Sequence, residues 1–148
     1  MRTPASVAGH PIHPMLVPIP IGLWVFSFAC DLAFVLGHGA SLWYTLAFYT
    51  LIGGSIGAVL AAVPGIIDLL SLSGRHRRIG LAHMAVNLLV MALYAVNIGL
   101  RITGPDQFHF CVALSAVAIA LLAVAGWLGG HMVYAQRIGV DEGEKPER

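Results

Sequence analysis

Four long apolar segments constrain the fold of this 148-residue chain more than any other feature of its sequence. They lie near residues 15–36, 42–72, 79–102 and 108–134, and each reaches the length of ~20 residues that a membrane-spanning helix needs. Only 10% of the residues are charged, whereas a water-soluble domain carries roughly 25%. Because so few charges cannot cover a surface that faces water, the sequence predicts an all-α integral membrane protein embedded in a lipid bilayer.

Short polar connectors separate these segments. They span residues 37–40, 73–78 and 103–107, and they contain the Gly, Pro, Ser and charged residues that end helices. Helices joined by short connectors lie side by side, so we expect residues 1–136 to form a four-helix antiparallel bundle. Residues 137–148 form a polar tail that we expect to fray. No internal repeat is recognisable in the sequence.

The basic residues predict how the bundle is oriented in the membrane. Seven of the eight Lys and Arg residues fall on one side of a four-span arrangement, and Arg101 alone falls on the other. Loops rich in Lys and Arg face the cytoplasm, so we expect both termini there. The formal net charge of +1 argues against nucleic acid as a partner, because a nucleic-acid binder needs a basic face.

The strongly polar side chains of the third segment share one helical face. Asn87, Tyr94, Asn97 and Arg101 all fall within about 40° of His83 on a helical wheel. Lipid penalises such groups, so this face must point into the bundle or into a wet cavity. Two interpretations remain open: hydrogen bonds between helices, or the lining of a cofactor site or proton path.

Two carboxylates lie inside the apolar segments. We expect Asp31 to pair with Arg101, either directly or through a water molecule, because an unpaired charge at this depth is costly. Asp68 lies near the predicted cytoplasmic face. It is expected to pair with Arg75, Arg78 or a protonated histidine, or to support a histidine ligand from behind.

Histidines cluster towards the same predicted face. Since imidazole binds haem iron and transition metals, the cluster is a candidate cofactor site; its members are His10, His13, His83 and His131. His76 lies towards the same face but in a connector, where we expect it to be solvated. Prolines follow His10 and His13, which favours extended backbone at both histidines and places Pro14 at the first helical position. The helix N-terminus favours a neutral ring at His13, so His13 is the better metal ligand and His10 the supporting residue.

Small residues recur every four positions in two segments, as Gly53, Gly57, Ala61 and Gly65 and as Gly126 and Gly130. Such stripes bring helix backbones close together in membranes. They can also leave room for a flat cofactor.

Several motifs carry a family resemblance: "GHPIHPMLVPIPIGLWVF", "AAVPGIIDLL", "LAHMAVN" and "GWLGGHMVYAQRIGV". Together they resemble the bacterial membrane proteins grouped as domain of unknown function 2231. The resemblance implies a four-helix domain of the bacterial inner membrane, sometimes in the company of a Rieske iron–sulfur domain. His10, His13 and His83 match the family's histidines, whereas an acidic residue often stands in the place of His131.

Three functional hypotheses follow. In the first, the protein is a redox membrane subunit that binds haem b or a transition metal. His83 is then one ligand, His13 or His131 the other, and Asn87 and Tyr94 adjust the site. In the second, it is a proton-coupled transporter or channel subunit that forms homo-oligomers. In the third, it is a structural or assembly protein without a ligand. The sequence contains no nucleophile elbow, phosphate loop or dinucleotide fingerprint.

Overall fold

Four apolar helical spans build the protein, whose computed structural model describes residues 3–38 and 40–140. The first span holds helices α1 (Ile12–Leu16) and α2 (Pro18–Ala33) and ends in a π-helical turn at Phe34–His38. The other spans are α3 (Ser41–Ser71), α4 (Gly74–Thr103) and α5 (Phe108–Tyr134), with a 3₁₀ turn at Pro105–Gln107. Two short strands, β1 (Ser6–Val7) and β2 (His10–Pro11), pair antiparallel before α1. All four spans are long and apolar enough to cross a membrane, which confirms the predicted fold class.

The spans form two helical hairpins. Helix α2 packs most extensively on α3, and α4 packs most extensively on α5. Helix α3 also contacts α4, and α2 contacts α5, so each helix of the bundle touches two others. We call α1–α3 hairpin one and α4–α5 hairpin two. Pro11 lies 3.5 Å from the position that a Cβ atom on Gly139 would take, so both ends of the described chain lie at one end of the bundle. Which side of the membrane this end faces stays a prediction.

The two hairpins are related by a pseudo-twofold axis along the bundle. Three residues of hairpin one have counterparts exactly 70 positions later in hairpin two, and each meets its own counterpart on the axis. The rings of His13 and His83 have centroids 6.3 Å apart. Trp24 stacks on Tyr94 at 4.4 Å, and Asp31 forms an ion pair with Arg101.

Hydrogen bonds to the helix backbone follow the same symmetry. Ser27 Oγ donates to the Ala47 carbonyl at 2.7 Å, and its counterpart Asn97 donates from Nδ2 to the Cys111 carbonyl at 2.7 Å. The contacts thus repeat between the hairpins although the sequence shows no recognisable repeat. Symmetry preserves which positions are buried, while lipid-facing apolar residues exchange freely, so almost no residue identity remains between the hairpins.

We call the bundle end that holds Asp31 and Arg101 the salt-bridge end, and the other the histidine end. Both charged residues are buried, and Arg101 donates from Nη1 and Nη2 to the two oxygens of Asp31 at 2.9 and 2.6 Å. The expected pair is thus direct and bidentate, which is the strongest form of such a bond. The rings of Tyr44 and Phe108 flank the guanidinium carbon at 5.9 and 5.7 Å.

Asn97 completes the polar network at this end. Its Oδ1 accepts a bond from Arg101 Nε at 2.8 Å, and its Nδ2 donates to Ser115 Oγ at 2.9 Å as well as to the Cys111 carbonyl. All three guanidinium nitrogens of Arg101 therefore have protein partners. Because every nitrogen of the guanidinium is hydrogen-bonded, the charged pair can lie at membrane depth.

The boundaries of two elements differ from their predictions. Helix α4 begins at Gly74, so Arg75–Arg78 forms its first turn and a half rather than a connector. Helix α1 begins at Ile12, so His13 is helical and not extended. Pro14 lies in the first turn, where backbone N–H groups have no helical acceptor, so its missing N–H costs little.

The polar tail also differs from its prediction in part. Residues 135–140 form a turn in which Ile138 is buried and its N–H donates to the Met132 carbonyl at 3.1 Å. The first residues of the tail are therefore held against the bundle. Residues 141–148 lie outside the described part of the chain.

Breaking the axial ion pair should destabilise the bundle strongly. We expect Asp31→Ala to lower the free energy of unfolding by about 3–5 kcal/mol, because it leaves Arg101 buried and uncompensated. The double variant Asp31→Leu/Arg101→Met should recover most of that loss, since it removes both buried charges. Unfolding in detergent titrated with dodecyl sulfate measures this. The exposed Arg77→Ala is the control, with a change within about 0.5 kcal/mol. Equal losses in the single and double variants would contradict the prediction.

Candidate functional site

A cavity of about 450 Å³ lies between the two hairpins at the histidine end. All four spans line it; Trp24 stands at its inner end, and Leu72 and Ile138 stand at its outer end. Its volume falls in the range of small-molecule and cofactor sites. We call this cavity the slot. Its lining is largely apolar, with polar side chains from Thr3, His13, Asp68, His83 and Asn87.

His13 projects into the slot from hairpin one and is held by the backbone of α3. Its Nδ1 donates to the Ala61 carbonyl at 2.7 Å. Gly65, one turn later on α3, makes room for the ring: a Cβ atom there would lie 2.9 Å from Nδ1. The ring therefore rests against a glycine and is oriented by a carbonyl four residues before it.

His83 has the same arrangement in hairpin two. Its Nδ1 donates to the Ala125 carbonyl of α5 at 3.0 Å, and a Cβ atom on Gly129 would lie 3.2 Å from the ring. Both histidines thus use an Ala and a Gly spaced four apart on the neighbouring helix. This shared spacing was visible in the sequence, but nothing there linked either Ala–Gly pair to a histidine.

These hydrogen bonds determine which ring nitrogen is available to a ligand. A carbonyl only accepts, so Nδ1 carries the proton in both rings, and the neutral ring keeps its lone pair on Nε2. Metal-binding histidines are typically oriented in this way. Asn87 Nδ2 lies 3.1 Å from His83 Nε2 and also donates to the His83 carbonyl at 2.8 Å. The planes of the two imidazoles are nearly perpendicular, at 87°.

Only part of the predicted site comes together. The structure gathers His13, His83 and Asn87 in the slot, but His10, His131 and Tyr94 do not line it. The exposed His10 is bonded through Nδ1 to the Ala8 carbonyl at 3.0 Å within the turn between β1 and β2. The ring of His131 stacks on Trp127 with centroids 5.7 Å apart. Tyr94 lies below the slot, stacked on Trp24, and its buried hydroxyl has no partner among the described residues.

Among the described residues, Asp68 is bonded to the backbone of the N-terminal segment. Its Oδ1 accepts a bond from the backbone N–H of Ala5 at 2.9 Å, which ties the segment before β1 to α3. The supporting acceptors of the slot histidines are the carbonyls of Ala61 and Ala125 instead. Helix carbonyls thus provide the orientation that was expected from a carboxylate.

The described segments before α1 and after α5 line the outer end of the slot. Thr3 and Pro11 line it from the N-terminal segment, and Ile138 and Gly139 line it from the turn after α5. Positive φ angles at Ala8 and Gly9, of 50° and 80°, form the tight turn that folds β2 back onto β1. The hydroxyl of Thr3 is buried without a partner in the described part of the chain, so it is available to a ligand or a water molecule.

The ring orientation in the slot can be tested by nitrogen NMR of histidine-labelled protein in detergent. We expect His13 and His83 to show the tautomer with the proton on Nδ1. Gly65→Ala should abolish this signal for His13 only, because the added methyl group displaces the ring from the Ala61 carbonyl. Gly126→Ala is the matched control, since a Cβ atom there meets nothing within 4 Å. A wild-type spectrum with both protons on Nε2 would refute the assignment.

Comparison with known proteins places the chain in a family. Searches of curated proteins and of solved structures gave no match. The family described as "Predicted membrane protein (DUF2231)" matches residues 9–142, a range that includes all four spans and both slot histidines. The resemblance read from the sequence motifs is thereby confirmed: this chain is a member of the DUF2231 family of membrane proteins.

Proposed function

We propose that the slot binds haem b between His13 and His83, and that the protein is a redox subunit of the bacterial inner membrane. The observation that carries the proposal is the pair of oriented imidazoles, one from each hairpin, that line one apolar slot. Metal–imidazole bonds are about 2 Å long, so imidazoles on opposite sides of one metal have centroids roughly 6 Å apart. The separation of 6.3 Å agrees with this value.

The donor set favours haem over a bare metal ion. A protein-bound transition metal usually takes three or four ligands from side chains. Within residues 3–38 and 40–140, no group of three or more His, Cys, Asp or Glu side chains is placed to hold a metal. A porphyrin supplies four nitrogens of its own, so His13 and His83 would be enough to hold a haem iron.

The shape and polarity of the slot support the same ligand. It lies between two hairpins whose histidines approach from opposite sides, which suits a flat molecule. Gly126 and Gly130 line it, and nothing lies within 4 Å of a Cβ atom built on either one. These two glycines leave space in the slot rather than bringing two backbones together.

The chain's own groups would orient the two rings that hold haem. The carbonyls of Ala61 and Ala125 accept the Nδ1 protons, so the Nε2 atoms of His13 and His83 would be the ones to hold the iron. At His83 this bond would replace the contact between Nε2 and the Asn87 amide. When bound, haem supplies a one-electron redox couple whose potential depends on these ligands and on the apolar surroundings.

Electron exchange is proposed to occur at the histidine end alone. The counterpart of the histidine pair at the opposite end of the axis is the ion pair of Asp31 and Arg101, which offers no haem ligand. The bias of basic residues favours a cytoplasmic position for the histidine end. A Rieske-type iron–sulfur protein is the partner class suggested by the resemblance, and a second copy of the chain is an alternative partner.

The packing inside the bundle argues against a proton path along α4. The polar face of α4 is divided into His83 with Asn87 at one end and Asn97 with Arg101 at the other. Between them, Tyr94 is stacked on Trp24 among buried apolar side chains that include Leu51 and Val90. A purely structural role would leave the slot and its two oriented histidines unexplained.

A visible spectrum of the protein purified in detergent tests the proposal. Protein from haem-replete cells should show a Soret band and reduced-minus-oxidised α and β bands. His13→Ala and His83→Ala should each lower haem affinity by at least ~10–100-fold, the loss seen when even a supporting group of a metal site is removed. His10→Ala and His131→Ala are matched controls that should retain the spectrum. A colourless wild-type preparation from such cells would exclude the proposal.

The proposed orientation has its own test. A reporter that is active only in the cytoplasm, fused after residue 148, should be active, and a periplasmic reporter at the same position should be silent. The reverse pattern would overturn the orientation without affecting the proposal for the slot.

A further inference from the structure

The slot opens sideways through both gaps between the hairpins. At the gap between α1/α2 and α5, the slot-lining residues Pro14, Pro18 and Gly126 are exposed on the surface of the bundle. At the gap between α3 and α4, the exposed lining residues are Ile66 and Leu88. Both openings lie along membrane spans, so each faces lipid.

The pseudo-twofold axis makes the two openings directly comparable. Pro14 and Pro18 have Met84 and Leu88 as their counterparts, and Gly126 and Gly130 have Ala62 and Ile66. The opening between α2 and α5 therefore has two prolines and two glycines where the other has Met, Leu, Ala and Ile. Three of those four residues, Met84, Leu88 and Ile66, carry larger side chains than the proline or glycine at the related position.

The two glycines at the first opening are uncrowded. A Cβ atom built on Gly126 or Gly130 meets no atom within 4 Å, whereas one built on Gly65 or Gly129 meets a histidine ring. Gly65 and Gly129 thus make room for the imidazole rings of His13 and His83, while Gly126 and Gly130 border empty space. Thr3, Pro11, Ile138 and Gly139 of the described terminal segments line the third side of the slot.

We propose that the gap between α2 and α5, bordered by Gly126 and Gly130, is a lateral portal through which an apolar ligand enters the slot from the bilayer. Because it rests on the proposed function, the ligand in question is haem, a flat and largely apolar molecule that partitions into lipid. The portal and the cofactor can nevertheless be tested separately.

Quenching of Trp24 fluorescence tests the portal without haem. Trp24 is 2% exposed and stands at the inner end of the slot, so a quencher must enter the slot to reach it. The protein carries Trp43→Phe and Trp127→Phe, is made in a haem-deficient host and is held in lipid nanodiscs. 1-Bromooctane dissolved in the bilayer is the quencher. We expect efficient quenching, reduced several-fold by Gly126→Leu and, independently, by Gly130→Leu.

Two matched variants distinguish blocking of the portal from the effect of adding a leucine anywhere else on the bundle. Ala62→Leu adds the same bulk at the symmetry-related position of the other opening, and Gly99→Leu adds it at an exposed glycine of α4 with nothing within 4 Å. Both should leave quenching unchanged. If Ala62→Leu reduces quenching as much as Gly126→Leu does, or if Gly126→Leu and Gly130→Leu have no effect, the proposal is overturned.

Haem uptake provides the second readout. When haem is added to empty nanodiscs, Gly126→Leu should slow the rise of the Soret band several-fold relative to Ala62→Leu. A wild-type protein that takes up no haem would refute the proposed function. The quenching of Trp24 would still show whether an apolar molecule enters the slot through the gap beside Gly126.

Discussion

The buried pair of Asp31 and Arg101 determines the register between the two hairpins. In hydrocarbon each polar group must find its partner inside the protein, and a charged pair tolerates no slip of one helix along the other. With this pair aligned on the axis, residues seven positions earlier meet as Trp24 and Tyr94. The histidines, a further eleven positions back, then meet as His13 and His83.

One pseudosymmetric frame therefore has different chemistry at its two ends. At the salt-bridge end the counterparts are opposite charges that satisfy each other, so the interior there is closed. At the histidine end the counterparts are identical rings, each oriented by a helix carbonyl and a nearby glycine, so two equivalent donors face a common slot. Departure from symmetry is informative too, because small residues border the gap beside Gly126 whereas larger side chains border the gap beside Leu88.

Predictions from the sequence were confirmed where they depend only on the cost of placing a group in lipid. Segment length predicted the four spans, and the cost of an unpaired charge predicted the partner of Asp31. Predictions failed where the outcome depends on local backbone geometry: His13 proved helical despite the proline after it, and the run Arg75–Arg78 proved helical because water outside the bilayer accepts charged helix ends. His10 and His131 lie at the predicted end of the bundle, yet neither reaches the slot.

The sequence by itself determined the class of the protein, its span count and the inward face of α4, because these depend on hydrophobicity and helical periodicity. Only the tertiary structure decided which histidines meet. His13 and His83 are joined by helix packing across the whole chain, and their orienting groups are backbone carbonyls, which every residue carries and no sequence pattern reveals. The twofold relation was hidden for the same reason, since it is a symmetry of burial and contact rather than of residue identity.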